Sequence, residues 1–513
     1  MKRVFFITAC IAITQCTIAQ EPADALRYSW FTSSGTARQQ AIGGAGVSLG
    51  GDITSTFINP AGLGFYKTGD FVLSPGFKLN SNKSTYFGRT EKDNRNNFAF
   101  GTTGLVLGDG STRGRSSGAF SIAINQIANF SSNILYRGQN TQSSYSQKFL
   151  EEIQNNNDRD ANHVANGYPF GTSLAFNTYW IDTVGGGSSG NYQFQSRSVP
   201  LLATGLLQEN RITNKGGISE IALGVGMHQS EKFYWGVTLG LPILRYDRES
   251  TFTEADATDN PNNKFDFGSI TENLTTKGYG LNLKAGLIYK PEEYIRLGFA
   301  IHSPTFYQLM DTYSASVTAN TESSLGTLTQ TSDFLAGSAA QFKYWLFTPY
   351  RVMAGASYVL REVEDVRKQR GFITADVEYV NYKASSFTTD PNGDNSQSTK
   401  DYLKSLNRTI DKAYKGSFNF RLGGELKFTT IMVRLGGAYY GNPYKNLNGE
   451  KGNRFQLTGG LGYRDKGMFI DVAYAYTMGK DVHFPYRLQN AAFSGASIKT
   501  TGGNIMLTVG FKI

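Results

Sequence analysis

Cysteine is almost missing from this 513-residue chain: only Cys10 and Cys16 occur, both close to Met1. They fall in a stretch that reads as a signal peptide, 1–19. Lys2 and Arg3 precede an apolar run from Val4 to Ile13, and Thr17-Ile18-Ala19 supplies small-residue cleavage chemistry. Cleavage after Ala19 leaves no thiol, which excludes disulfides, thiolate catalysis and cysteine-held zinc or iron–sulfur groups. Also missing is any apolar run near the roughly 18 residues a spanning helix needs. Histidine is scarce: His163, His228, His302 and His483 stand too far apart in sequence for an i, i+4 metal pair, so neither a metal nor another cofactor is expected. Lys and Arg number 50 against 41 Asp and Glu, a formal charge of +9 that is dispersed along the chain. That dispersal excludes a basic nucleic-acid footprint.

What the chain has instead is glycine and aromatics, with 58 Gly, 35 Phe and 29 Tyr at a mean hydropathy of −0.33. An exported, aromatic-rich and only mildly polar chain is what a transmembrane β-barrel looks like, because only one face of each strand meets lipid. The alternation bears this out. From Phe418 to Phe428, one face reads Phe418, Phe420, Leu422, Gly424, Leu426 and Phe428, and the other Asn419, Arg421, Gly423, Glu425 and Lys427. Ile431, Val433, Leu435 and Tyr439 likewise oppose Met432, Arg434 and Ala438. Ile295, Leu297, Phe299 and Ile301 oppose Arg296 and His302; Ile373, Ala375, Val377 and Tyr379 oppose Thr374, Asp376 and Glu378. Eleven alternating residues suffice for a tilted strand to cross a bilayer. The segments run longer than those of a soluble sandwich.

About fourteen such segments fill 69–513, an even number that suits a closed all-β antiparallel barrel. Short connections such as Lys290-Pro291-Glu292 and Arg464-Asp465-Lys466 mark the periplasmic side. Long polar ones near 254–272, 319–337, 384–413, 442–452 and 479–498 face outward, in the outer membrane of a Gram-negative bacterium. The largest, 138–216, is unusual in its apolar content, including Phe170, Phe176, Trp180, Leu202 and Leu206. These residues fold the loop onto itself or cap the barrel, or form an outer groove for an apolar ligand, and the two readings are compatible.

Residues 20–68 precede the first strand, and within them the stretch Thr36 to Phe65 fits neither strand nor amphipathic helix. Between Thr36 and Phe65, Gly43, Gly44 and Gly46 allow sharp bends, and Asn59-Pro60-Ala61-Gly62 is turn chemistry. Irregular backbone at membrane depth is tolerated only inside protein, so this segment is expected to be a hatch in the lumen. Arg38 and Asp52 are expected to tie it to the wall, and Trp30, Phe31, Phe57 and Phe65 to line a ligand path. Arg296, His302, Arg421, Glu425 and Arg434 form a polar lumen. A carboxylate headgroup could bind there, or the charges pair with one another and with the hatch.

The run Phe31-Thr32-Ser33-Ser34-Gly35-Thr36-Ala37-Arg38, then Gly43-Gly44-Ala45-Gly46, Asp52 and Asn59-Pro60-Ala61-Gly62, resembles the N-terminal hatch of the FadL/TodX family of outer-membrane hydrophobic-compound transporters. Gly286-Leu287-Ile288-Tyr289-Lys290-Pro291 with Arg296 to Pro304, and the run from Arg434-Leu435-Gly436 to Gly462-Tyr463, extend the resemblance over most of the mature chain. The resemblance implies a fourteen-stranded plugged barrel that admits long-chain fatty acids or similar molecules and releases them sideways through a gap at a kinked strand. Asn125-Gln126 in the third strand is the candidate kink. The family pattern is departed from in the large connection after the third strand and in a C-terminal Ile513 where an aromatic is common.

Passive uptake of hydrophobic or amphipathic small molecules is the function these features favour. The alternative is a barrel that holds a cargo protein or surface assembly by its loops. No enzyme is expected: Gly114-Arg115-Ser116-Ser117-Gly118 matches a hydrolase elbow, but in a polar hairpin tip rather than a strand-turn-helix.

Overall fold

A computed structural model describes residues 22–109, 116–184, 190–258, 260–360, 370–445 and 452–513. The expected signal peptide and Gly114-Arg115 of the hydrolase-like motif lie outside the described residues. No helix among them is long and apolar enough to cross a membrane.

Fourteen antiparallel strands close into a barrel. They are β1 (Asp70–Leu73 continuing as Pro75–Tyr86), β2 (Arg89–Phe100 and Thr103–Asp109), β3 (Ser116–Asn129 and Ser132–Asn140), β4 (Leu206–Gln229), β5 (Phe233–Asp256), β6 (Phe267–Glu292) and β7 (Ile295–His302 and Phe306–Asn320). The circle continues with β8 (Ala340–Phe347 and Arg351–Leu360), β9 (Gly371–Asn381 and Ser386–Thr389), β10 (Gly416–Phe428), β11 (Ile431–Tyr440), β12 (Arg454–Asp465), β13 (Met468–His483) and β14 (Ala496–Lys512). Each strand neighbours the next, and β14 returns to pair with β1, so the sheet closes on itself. Pro304 and Pro349 cannot donate to a ladder and sit where β7 and β8 break.

The two faces separate as the alternation requires. Phe418, Phe420, Leu422, Leu297, Phe299, Ile301 and Ile373 stand exposed outward, while Arg296, Arg421, Arg434, Asp376 and Glu378 are buried inside. On β5 the outward series changes from Leu241 and Ile243 to Arg245 and Asp247, and on β4 from Ile221 to Ser219. Those changes mark the outer edge of the hydrocarbon belt.

One stretch of wall is not joined by backbone. Among the described residues, the Arg89–Phe100 part of β2 pairs only with β1, and the Ser132–Asn140 part of β3 only with β4. The register of β3 on β4 shifts between Gln126 and Ala128, beside the Asn125-Gln126 pair, and the strand bends there. Side chains hold the seam instead. Lys78 Nζ, Asn80 Nδ2 and Asn82 Nδ2, alternate residues of β1, donate to the carbonyls of Asn129, Ser131 and Asn133 at 2.9, 3.2 and 2.6 Å. Arg137 Nε reaches Glu91 Oε1 at 2.7 Å, and Arg95 Nη1 reaches Asn133 Oδ1 at 3.1 Å.

Inside lies the segment that precedes β1. Helix α1 (Pro22–Arg27) packs at the long-loop end, α2 (Ala37–Ala41) and α3 (Ser55–Ile58) follow, and a 3₁₀ turn (Pro60–Phe65) reaches the short-turn end. Inward-facing wall glycines seat its backbone. An added Cβ would lie 2.2 Å from Val47 O at Gly298, 2.4 Å from the Pro60 carbonyl carbon at Gly236, and 2.2 Å from Ile42 O at Gly423.

The largest connection differs from expectation. It runs over 141–205 rather than 138–216, because β4 begins at Leu206. Its first ten residues carry polar groups on both faces, so a period-two pattern is faint there.

Gly298→Val is expected to unseat the hatch, at a cost of about 1–3 kcal/mol from overpacking. The refolded barrel should show a lower denaturation midpoint and faster tryptic cleavage after Arg38. Gly437→Val, where an added Cβ meets nothing closer than Gln456 O at 3.4 Å, should leave both unchanged.

Candidate functional site

The hatch is held by hydrogen bonds that replace a strand's ladder. Asp376 accepts from the Gly46 and Val47 amides at 2.7 and 2.9 Å. Thr458 accepts from the Gly43 amide and donates to Ala41 O, both at 2.9 Å. Asn59 ties the hatch to itself and to a strand: its Nδ2 lies 2.6 Å from Val47 O and 3.2 Å from Leu287 O, while its Oδ1 caps the Ala61 amide at 3.1 Å. Pro60 opens the 3₁₀ turn where a missing N–H costs nothing. Pro60, Ala61, Gly62 and Gly46 are all buried. Gly43 and Gly44 have φ of 69° and 79°, the left-handed region that only glycine enters cheaply.

Arg38 meets the wall as expected, 3.4 Å from Glu425. Asp52 does not: it accepts from Thr36 Oγ1 at 2.8 Å and the Thr54 amide at 2.9 Å, both within the hatch. A short carboxylate beside two local donors satisfies itself before it can reach a strand. The lumenal charges pair with one another. Glu425 and Asp471 hold Arg434, each at 2.6 Å, and Glu378 binds Arg421 and, at 3.2 Å, Arg351. Lys284 pairs with Glu220, a contact not expected from the sequence. A lone charge on the inward phase of an apolar strand, as in Leu283-Lys284-Ala285 and Ser219-Glu220-Ile221, is the signal that would have found it. Arg296 lies over the Phe65 ring at 4.8 Å.

Between the hatch and strands β3 to β10 is a cavity of about 140 Å³. Its apolar lining is Phe31, Phe57, Ile58, Ile127, Tyr307 and Met353, and its polar lining includes Asn125, Lys284, His302, Arg351 and Glu378. His302 Nε2 is 2.9 Å from Ile58 O, so the imidazole fixes the hatch. Phe31 and Phe57, of the four aromatics expected to line a ligand path, border this cavity. Trp30 and Phe65 do not. Trp30 is clamped under Arg454, 3.5 Å from its ring centroid, and Phe65 stacks on Tyr234 at 4.0 Å.

The kink divides this cavity from a hollow on the outer surface. Asn125 and Ile127 face the cavity; Gln126 between them lines the hollow with Asn97, Ser131, Ser219, Ile243 and Arg245. Ser219 and Arg245 belong to the rim of the hydrocarbon belt, which sets the hollow at that level.

The apolar residues of the largest loop line neither space. Helices α4 (Ser146–Asn155), α5 (Ala161–Gly167) and α6 (Thr172–Asn177) enclose a core that includes Phe149, Leu174, Trp180, Leu206, Phe252 and Tyr486. Trp180 and Leu206 are fully buried there, Phe170 packs on Tyr313, Phe176 packs on Phe194, and Leu202 borders the same cluster. Buried Glu254 organises it, accepting from the Tyr145 amide at 2.9 Å, from Trp180 Nε1 at 3.2 Å and from Ser144. The external groove is therefore replaced by a folded cap, because these side chains bury more surface against one another than an open groove would allow.

No family model matches the sequence, and no curated protein matches it. Among solved structures, the chain is similar in fold to a FadL homologue of Pseudomonas aeruginosa, with a TM-score of 0.56 and 13% identity over 94% of this chain and 99% of that one. It is similar also to the toluene transporter TodX of Pseudomonas putida, with a TM-score of 0.50 and 12% identity over 94% and 99% of the two chains. At such identity the likeness is one of architecture.

Glu378→Gln removes the charge shared by Arg351 and Arg421 while keeping its shape. Two buried guanidinium groups lose their carboxylate, so a loss of about 3–5 kcal/mol is expected in a denaturant titration. Glu231→Gln, which breaks the exposed 3.9 Å pair with Lys67, should change nothing measurable.

Proposed function

We propose that this chain is an outer-membrane channel of the FadL/TodX type, in a Gram-negative envelope, for passive uptake of hydrophobic or amphipathic small molecules. One observation carries the reading: a partly apolar lumenal cavity reaches the bend of β3 at Asn125 and Ile127, where the stretch of wall that backbone hydrogen bonds leave open begins. A route straight down would have to part the hatch from the glycines that seat it, backbone against backbone. A route sideways crosses only the side-chain bonds of the seam. For a molecule that prefers hydrocarbon to water, the sideways exit also ends in the better solvent.

Size supports a small ligand. A cavity of about 150 Å³ holds one benzene ring, and the volume here, about 140 Å³, is similar. A ring-sized molecule would be enclosed whole, whereas a long-chain fatty acid would enter with one segment of its chain. The similar Pseudomonas putida protein is a toluene transporter, which lends the same substrate class. In this reading Phe31, Phe57, Ile127 and Met353 form the apolar contact, and the hatch seals the barrel against polar solutes.

Uptake of labelled toluene and of a labelled fatty acid into vesicles carrying the protein tests this. Protein-dependent uptake of either is expected, with Met353→Trp reducing it by roughly tenfold or more by filling the cavity. A chain lacking residues 36–65 should leak polar solutes. Uptake no faster than in empty vesicles, with a bound protein carried through detergent purification, would move the assignment to a cargo-holding barrel.

A further inference from the structure

The lining of the seam is the wrong chemistry for a bare hydrocarbon. Asn125 is only 1% exposed and faces the cavity. One end of its amide meets Ser34 Oγ at 3.0 Å, and its Oδ1 has no partner among the described residues. Asn80 and Asn97 repeat the arrangement. Each spends its Nδ2 on a backbone carbonyl, Ser131 O at 3.2 Å and Phe98 O at 2.8 Å, which fixes the amide orientation and leaves a buried oxygen unpartnered. Arg95, on the same face of β2 as Asn97, has an unpartnered buried Nε.

Such atoms are expensive to bury without a partner, and these four lie along the seam on three neighbouring strands, Asn80 on β1, Arg95 and Asn97 on β2 and Asn125 on β3. Charge does not explain them. The cavity lining holds three cations, Lys284, Arg351 and Arg421, against Glu220 and Glu378; Lys284 pairs with Glu220, and Arg351 and Arg421 share Glu378, so each of the three already has a carboxylate partner. A carboxylate would moreover bring acceptors to meet acceptors. A neutral hydroxyl or amide N–H donates to the asparagine oxygens, and a hydroxyl can also accept from Arg95.

We infer that the lateral path selects neutral amphipaths that carry a hydrogen-bond donor, such as alcohols, phenols or amides, and that Asn125, with Asn97 at the outer hollow, determines that selectivity. This rests on the uptake reading above. The apolar half of the cavity takes the carbon skeleton while the amides of the kink take the donor, so the polar group leads the molecule toward the headgroup level at which the hollow opens.

The test uses three probes with one ring: toluene, benzyl alcohol and benzoate. Binding to the purified full-length barrel in detergent is measured by saturation-transfer NMR and calorimetry. Benzyl alcohol is expected to bind about tenfold more tightly than toluene or benzoate, the worth of one well-placed hydrogen bond. Asn125→Leu should bring the alcohol-to-toluene ratio close to one without weakening toluene. Asn97→Leu, at a half-buried site where folding is less at risk, should reduce the ratio in the same direction. Equal affinities in the wild type, or a ratio unmoved by both variants, would overturn the inference while leaving the channel reading intact. Binding of none of the three would count against the channel reading itself.

Discussion

The structure depends on satisfying the backbone of a segment that has no regular ladder. A plug placed at membrane depth must find a partner for each buried N–H and C=O. Here the wall supplies those partners from the inward phase of its strands: Asp376 for two consecutive amides and Thr458 for an amide and a carbonyl, while Asn59 of the plug reaches back to β6 as a bracket. The glycines that face inward make this possible, since any side chain at Gly236, Gly298 or Gly423 would hold the plug away from its hydrogen-bonding partners. Everything else in the lumen is arranged in the space this seating leaves.

The charges follow the same logic. Arg434 is fully buried between Glu425 and Asp471, and Arg38 of the hatch joins that group through Glu425. A buried ion pair gives little net stability, but it penalises misplacement heavily. Glu378 acts in the same way beside the cavity, where it fixes Arg351 and Arg421. The cavity thereby keeps one shape and one polarity, which a ligand site requires and a generic water-filled pore does not.

Much of this was legible in the sequence, and the residues show why. The run Phe418 to Phe428 alternates because lipid and lumen impose opposite demands on adjacent side chains, so strands in the hydrocarbon belt could be read one by one. Above the belt both faces carry polar side chains, and the start of β4 at Leu206 left no such mark. The hatch was legible from Gly43 to Gly62 as backbone too broken for a strand or an amphipathic helix, and it holds only the short turns of α3 and the 3₁₀ segment. Individual roles were harder. Asp52 turned to its own neighbours, and Trp180 and Leu206 went into a loop core that depends on Phe252 and Tyr486, residues distant in sequence. Alternation says which way a side chain points, not what it meets.

The closure of the barrel carries a consequence for biogenesis. The hatch runs directly into β1, and β1 pairs with β14, so the first and last strands are joined only when the whole chain is present. Thr508 of β14 accepts from the Ala37 amide at 2.8 Å and bonds Ser74 of β1 at 2.9 Å, fastening plug, first strand and last strand at one residue. The joint that closes the cylinder is thus also a point at which its occupant is held. Closing the wall and fastening the hatch therefore draw on the same last strand, and a chain truncated before Thr508 would lack both the joint and the fastening.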